Sequence, residues 1–403
     1  MTTHPRTAVP AGLILVLGAL TAIGPLSIDM YLPSLPSLAA GFGRDIGRAE
    51  LTLSGFFAGL AIGQAFYGPL ADRFGRKPPL YLGLVLFLVA SIGCALAPSL
   101  EALIGLRFVQ GLGGCAGMVI ARAVVRDRFE HAEAARVFSL LMLVMGLAPI
   151  LAPLIGGYLL VIASWQAIFA LLAGFAVLLL AAVGFGLPET RPAQGELHLG
   201  TVLATYAGLL RDREFVGYAL SGGFAQAGMF AYIAGSPFVF IELFHVPKEH
   251  YGWLFGANAL GLIIGSQLNA RLLHRLGPET VLGRSTLVIA GFGVLLLSAV
   301  LTGAGGFPGL LIPLFGYIAS LGFVGPNAAA CALHRHGERA GSASALMGCL
   351  QFLAAALAGS LVGQWHDGTA LPMAGVIAGC GVLAALARWL GVPQKTRGFT
   401  KNP

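Results

Sequence analysis

The sequence predicts an all-α membrane protein with twelve transmembrane helices in two pseudo-symmetric six-helix bundles. Three observations carry this. Of 403 residues, 57% are hydrophobic and only 10% charged. A soluble domain carries about 25% charged residues, so lipid must be the main solvent. The apolar runs are continuous and do not alternate at period two. Crossing a hydrocarbon core of ~30 Å takes about 20 residues of helix, with every backbone group satisfied internally. The runs also fall into two sets of six around one long polar connection.

The first set covers 11–36, 51–70, 79–98, 100–125, 137–160 and 166–187. The second covers 215–243, 251–272, 281–303, 307–331, 342–364 and 370–391. Arg6 ahead of the run from Ala11 to Ile23 imitates a leader peptide. It reads instead as the start of the first span, because further spans follow along the whole chain. The expected organisation is a six-helix bundle over 1–190, a cytoplasmic central loop over 191–213, and a second bundle over 214–403 with a short tail. The halves echo each other. Ala135-Arg136-Val137-Phe138-Ser139 opens the fifth span and Ala340-Gly341-Ser342-Ala343-Ser344 the eleventh, and each span runs on to a tryptophan, Trp165 or Trp365. Related six-span halves mark transporters, with the substrate held between them.

Lys and Arg set the orientation. Nineteen of the 24 fall in the loops and termini of one side, and Arg44, Arg48 and Lys248 fall on the other. Arg107 and Arg122 lie inside the fourth span. The positive-inside pattern places both termini in the cytoplasm. The net charge of +7 is thereby a topological signal; no basic cluster with interleaved aromatics points to nucleic acid. The five cysteines, Cys94, Cys115, Cys331, Cys349 and Cys380, lie in apolar segments without metal-type spacing and read as small packing residues. No metal or cofactor is expected. A G-x-x-x-x-G-K-[ST] loop and an H-E-x-x-H pair are both missing from the sequence, which argues against ATP drive within the chain and against a membrane protease. The chain does not read as an enzyme, and nothing demands more than a monomer.

Asp29 is the first functional candidate. It stands in Gly24-Pro25-Leu26-Ser27-Ile28-Asp29-Met30-Tyr31-Leu32-Pro33, near the outer end of the first span. A charge there costs roughly 2.5–3.5 kcal/mol on insertion scales, and such residues usually face a cavity and often carry protons or ions. In span four, Arg107-Phe108-Val109-Gln110-Gly111 places a cation ~10 Å below the outer end, by helical rise. Asp29 lies at a similar ~10 Å depth, so the two are expected to couple directly or through water. The small residues of Gly113-x-x-x-Gly117 permit close helix contact.

After span two the chain reads Gly68-Pro69-Leu70-Ala71-Asp72-Arg73-Phe74-Gly75-Arg76-Lys77-Pro78. Gly68 and Gly75 suit a tight turn. Asp72 is expected to accept from Arg76 and to sit against a helix N-terminus, with Asp127 as a further partner for Arg76. Together they form a candidate inner gate with Arg73 and Lys77. Span five carries Pro149, Pro153, Gly156 and Gly157, a pattern suited to a helix that bends or packs tightly between the halves. Softer candidates for a substrate cavity are Tyr31, Gln64, Gln110, Met142, Met145, Phe224, Gln226, Met229, Tyr232, Asn258, Asn327 and Gln351. Arg122 is expected near the cytoplasmic face, in the inner gate or snorkelling.

These segments together resemble the major facilitator superfamily. Gly68–Lys77, Arg107–Gly111 and Ala148–Gly157 look like its three drug-antiporter motifs, and Asp29-Met30-Tyr31-Leu32-Pro33 is similar to the Bcr/CflA group of drug:proton antiporters, particularly its bicyclomycin-resistance branch. The span-five pattern usually has glycine where Ala152 stands. The resemblance implies export of small organic molecules in exchange for protons across a bacterial inner membrane. It also implies Asp29 as the proton-binding carboxylate, Arg107 as its coupled cation, and Asp72, Arg73 and Arg76 as the inner gate. A metabolite transporter on the same fold, for an amino acid or a nucleoside, is the alternative.

Overall fold

Long apolar runs can satisfy their backbone in lipid only as helices or closed barrels, and helix is the form this chain takes. The computed structural model describes residues 11–191, 199–336 and 339–392. The first six spans are α1 (Ala11–Asp29) continued by α2 (Leu35–Gly41), α3 (Ile46–Phe74), α4 (Lys77–Ala95), α5 (Leu100–Arg128), α6 (His131–Ile162) and α7 (Gln166–Gly186). After α8 (Leu199–Arg211) come α9 (Arg213–Pro237), α10 (Lys248–Leu273), α11 (Pro278–Thr302), α12 (Gly306–Leu333), α13 (Ala340–Gln364) and α14 (Leu371–Gly391). Eleven of these twelve spans are both long and apolar enough to cross a membrane. The remaining one, α10, has 26 residues but carries Asn258, Gln267 and Asn269 along its length.

Three features differ from the sequence expectation. The first span is broken. Its helix ends at Asp29, and a turn of 3₁₀ helix over Leu32–Ser34 leads into α2. Pro33 and Pro36, at the starts of those two pieces, lack the N–H that would continue the ladder. Span two is longer than expected at both ends. It starts on Asp45, whose side chain caps the Arg48 N–H, and runs through Gly68 to Phe74. Gly68 therefore belongs to the helix and not to the turn. Gly75 makes the turn, with φ +84°. Finally, the connection over 191–213 is not loop throughout. Leu199, Val202, Leu203, Tyr206, Leu209 and Leu210 recur at helical spacing and form α8. Glu196 and His198 lie outside the described residues.

The halves meet along two helix pairs. α3 packs against α13, with the rings of Phe57 and Phe230 of α9 meeting nearby at a tilt, 4.6 Å between centroids. α6 packs against α10. Lys248 of α10 donates from Nζ to Ser37 Oγ of α2 at 2.6 Å, tying the halves at the end away from the basic loops. At the basic end the halves stand apart around a cavity of about 1000 Å³.

Candidate functional site

The break in the first span fixes the position of Asp29. As the last residue of α1 it is only 4% exposed. No hydrogen bond or ion pair reaches its carboxylate among the described residues. The Leu32–Ser34 turn that follows it packs against α9 and α10 of the second half, so Asp29 lies next to the boundary between the halves.

The expected direct pairing with Arg107 does not form. Arg107 is fully buried; its two terminal nitrogens are committed elsewhere, and its Nε has no partner among the described residues. Nη1 donates to Gln110 Oε1 at 2.6 Å, and Nη2 to the carbonyl of Ser27 at 3.1 Å. The guanidinium sits over the rings of Phe56 and Tyr31, at 4.3 and 4.7 Å, a placement that suits a desolvated cation. Gln110 in turn donates to Ser91 Oγ at 2.8 Å, and Tyr31 OH meets Thr52 Oγ1 at 2.8 Å. Matching depth gave the level of the two charges but not the rotation of their helices. Among the described residues, the contact of Arg107 nearest to Asp29 is with the backbone, at the carbonyl two residues before it.

Most cavity candidates lie elsewhere than in the wall of the large cavity. Gln64 lines it. Tyr31, Gln110, Tyr232, Asn258 and Asn327 are buried in polar contacts. Asn258 donates to Tyr232 OH at 3.1 Å, and Asn327 to Asn269 Oδ1 at 2.7 Å. A hydrogen bond of that kind between helices is what a polar group needs at membrane depth. Met145, Phe224, Gln226, Met229 and Gln351 are half-buried. Met142 is exposed, one turn beyond Phe138 of the cavity wall.

The second polar cluster is at the basic end. Arg76 is almost fully buried and grips Asp127 with two nitrogens, Nε at 2.7 Å and Nη2 at 3.2 Å. Its Nη1 donates to Asp72 at 3.0 Å, as the spacing predicts. Glu189 completes the cluster, accepting from the Arg76 N–H at 2.8 Å and the Lys77 N–H at 3.0 Å. It thereby caps α4 from 112 residues away, a separation that hid it from local sequence reading. Burial works to raise the Glu189 pKa, but the N–H groups of Lys77, Arg76, Arg191 and Thr190 outweigh it and hold the carboxyl below its usual range. Arg73 lies over Phe74 at 4.7 Å and joins none of these hydrogen bonds among the described residues. All these contacts lie within the first half.

The cavity opens beside this cluster. Its walls are Gln64, Asp72 and Arg73 of α3, Arg122 and Arg126 of α5, and Ser342 and Ala345 of α13. Tyr206 of α8 lines its mouth and donates to the Ala65 carbonyl at 3.1 Å. Arg122 donates from Nε to the Met118 carbonyl at 3.0 Å, and its side chain is exposed inside the cavity.

α6 bridges the halves at the other end. It runs as one helix through Pro149 and Pro153. Gly156 meets the Met30 backbone so closely that a methyl group would overlap the Met30 carbonyl, and at Gly157 a methyl would stand 2.7 Å from the Lys248 carbonyl. The residue after Asp29 is thus clamped by the helix that contacts the second half. Glu50 of α3 is a buried carboxylate that the sequence reading placed outside span two. Asp45 as a helix cap was the available signal.

Comparison with known proteins agrees with this architecture. The sequence profile of the Major Facilitator Superfamily matches residues 17–359. The chain is 37% identical to an uncharacterized MFS-type transporter, YdgK, of Bacillus subtilis, over 93% of this chain and 94% of that one. It is 34% identical to a bicyclomycin resistance protein homolog of Haemophilus influenzae, over 96% of this chain and 98% of that one. A D-xylose-proton symporter shares the fold, with a TM-score of 0.73 at 18% identity, over 95% of this chain and 98% of the symporter.

Proposed function

The chain belongs to the major facilitator superfamily, and from that premise we propose that this multi-pass membrane transporter exports small organic molecules, drugs among them, in exchange for protons. One observation carries the proposal. Asp29 is a buried carboxylate without a partner among the described residues, at a helix break whose following turn packs against the other half of the molecule. An ion there is costly unless paired, so its charge must change as its surroundings change. The relative named for bicyclomycin resistance supports export of drug-like compounds.

In this reading the basic end faces the cytoplasm of a bacterium, with the protein a monomer in its inner membrane and both termini inside. The cavity is then open to the cytoplasm, and a substrate enters past Arg122 and Gln64. Its arrival favours release of the proton from Asp29 inwards. Rocking of the halves closes the basic end and opens the other, where the substrate leaves and Asp29 is protonated again. Asp72 faces the first turn of α13, around Ser342, across the cavity. Closure brings this acid to a helix N-terminus, where negative charge is favoured. The clamp of α6 on Met30 couples that motion to the residue next to Asp29.

The test is transport in inside-out vesicles, with the compound to which expression of the gene confers most resistance. Adding it to energised vesicles is expected to drive proton efflux from the lumen as the compound accumulates there. Movement of compound and protons in the same direction overturns the antiport reading.

A further inference from the structure

The seam between α3 and α13 holds a second acid for which the cycle above has no use. Glu50 is 1% exposed, and its Oε2 has no hydrogen-bond partner. It faces the second half, because a methyl placed on Gly363 of α13 would stand 3.4 Å from the Glu50 Cβ. One turn towards Phe74, Ser54 repeats the arrangement. Its Oγ is buried and unpartnered, and a methyl on Gly359, one turn back along α13, would stand 2.9 Å from it. Two polar side chains four residues apart on α3 therefore lie against two glycines four residues apart on α13. Beyond them Gly47 and Gly363 meet backbone to backbone, so the seam is closed at this end.

No cation among the described residues offsets the Glu50 carboxylate. On its own helix Asp45 is acidic and accepts from the Arg48 N–H, and the Arg48 side chain is exposed. Beyond α13, the His366 ring stands edge-on to Phe238 at 4.4 Å, and Asp367 accepts from Thr369. From α5, Arg107 is committed to Gln110 and the Ser27 carbonyl, and Glu101 reaches the exposed Arg44 at 3.5 Å. α2 brings no charge. A carboxylate sealed in low dielectric without a counter-ion costs several kcal/mol, whereas a carboxylic acid fits and can donate a hydrogen bond.

We propose that Glu50 is a second proton-binding residue of the transporter, holding a proton while the α3–α13 seam is closed and exchanging it with the side away from the basic end when the seam parts. Its use in transport rests on the proton-coupled reading above, but its test does not. Ser54→Cys lies beneath the closed seam and reacts with a membrane-impermeant maleimide added from the Gly47–Gly363 side only when the seam opens. The measurement is made in an Asp29→Asn background, with labelling of the parent's native cysteines subtracted. The labelling rate, divided at each pH by that of a cysteine at a fully exposed position so that thiol ionisation cancels, is expected to rise with pH, by up to about tenfold per unit for one proton. Glu50→Gln is expected to flatten that rise, Glu50→Asp to displace its midpoint, and His366→Gln to leave it in place. A flat profile with Glu50 intact, or an unchanged slope in Glu50→Gln, overturns the proposal.

Infrared spectra give a second readout, without labelling or transport. At neutral pH, Glu50→Gln is expected to remove a protonated-carboxyl stretch; loss of an ionised carboxylate band instead overturns the proposal. Failure of proton-driven efflux in vesicles would remove the role of Asp29 and leave the labelling slope standing. A flat slope with intact efflux would remove Glu50 alone.

Discussion

Arg76 and Asp29 are both buried ionisable groups close to the ends of spans, and their surroundings are opposite. Arg76 has two carboxylates, one gripped by two nitrogens, and its neighbours Lys77 and Glu189 bind the turn together. Asp29 has no partner among the described residues, although a guanidinium lies at the same depth. A charge with permanent partners holds helices in one arrangement. A charge without them has to be removed or answered as the protein moves. The basic cluster therefore reads as a latch within the first half, and the Asp29 region as the place where an ion is exchanged.

That contrast can be broken by substitution. The largest effect is expected from Asp29→Asn, which keeps the volume and removes the titration. Gradient-driven efflux should fall to background while expression and melting temperature stay at the parental level. Arg76→Ala should do the reverse. It strands Asp127, and breaking a buried pair costs about 3–5 kcal/mol, read as a large drop in thermal stability in detergent. Asp72→Asn should cost only about 0–1 kcal/mol, since this side chain is 59% exposed and solvent screens the pair.

Arg107 sharpens the contrast, being a cation whose two hydrogen bonds both go to neutral acceptors. Arg107→Ala leaves Gln110 Oε1 and the Ser27 carbonyl without a donor, at about 1–3 kcal/mol for each buried group, and should both destabilise the protein and cripple turnover. Arg107→Lys keeps the charge but loses the fork that serves both acceptors, and should retain part of the transport rate. Equal transport by all three forms would show that the hold on Ser27 has no bearing on Asp29.

The smallest effect is expected from pH at the latch. The Glu189 carboxyl lies below its ordinary value of 4.5 in the folded protein. Its contribution is therefore present above 4.5 and is lost as pH falls through the lower folded value. Hydrogen exchange of the Arg76 and Lys77 amides should accelerate only in that acid range, and Glu189→Gln should remove the dependence.

Hydropathy made the spans legible, because lipid leaves the backbone few alternatives. The Arg76–Asp72–Asp127 contacts were legible because spacing and loop position bring those groups together. Contacts that depend on helix rotation were not. Matched depth suggested a pair between Asp29 and Arg107, but the rotation of α5 turns the guanidinium to Gln110 and Ser27. The break after Asp29 had its signal in Pro33 and Pro36, and α8 had its own in apolar residues at helical spacing. Glu50 was hidden by one residue of boundary. Placing the start of span two at 51 put it in solvent, whereas the cap at Asp45 puts it inside the seam.

Proton release on substrate binding tests the central claim most directly. Purified protein in weakly buffered detergent solution, with a pH indicator, is mixed with the compound identified by resistance profiling. The parent is expected to release protons as the compound binds, and Asp29→Asn to bind it without that release. Equal proton release by the two proteins would contradict the account.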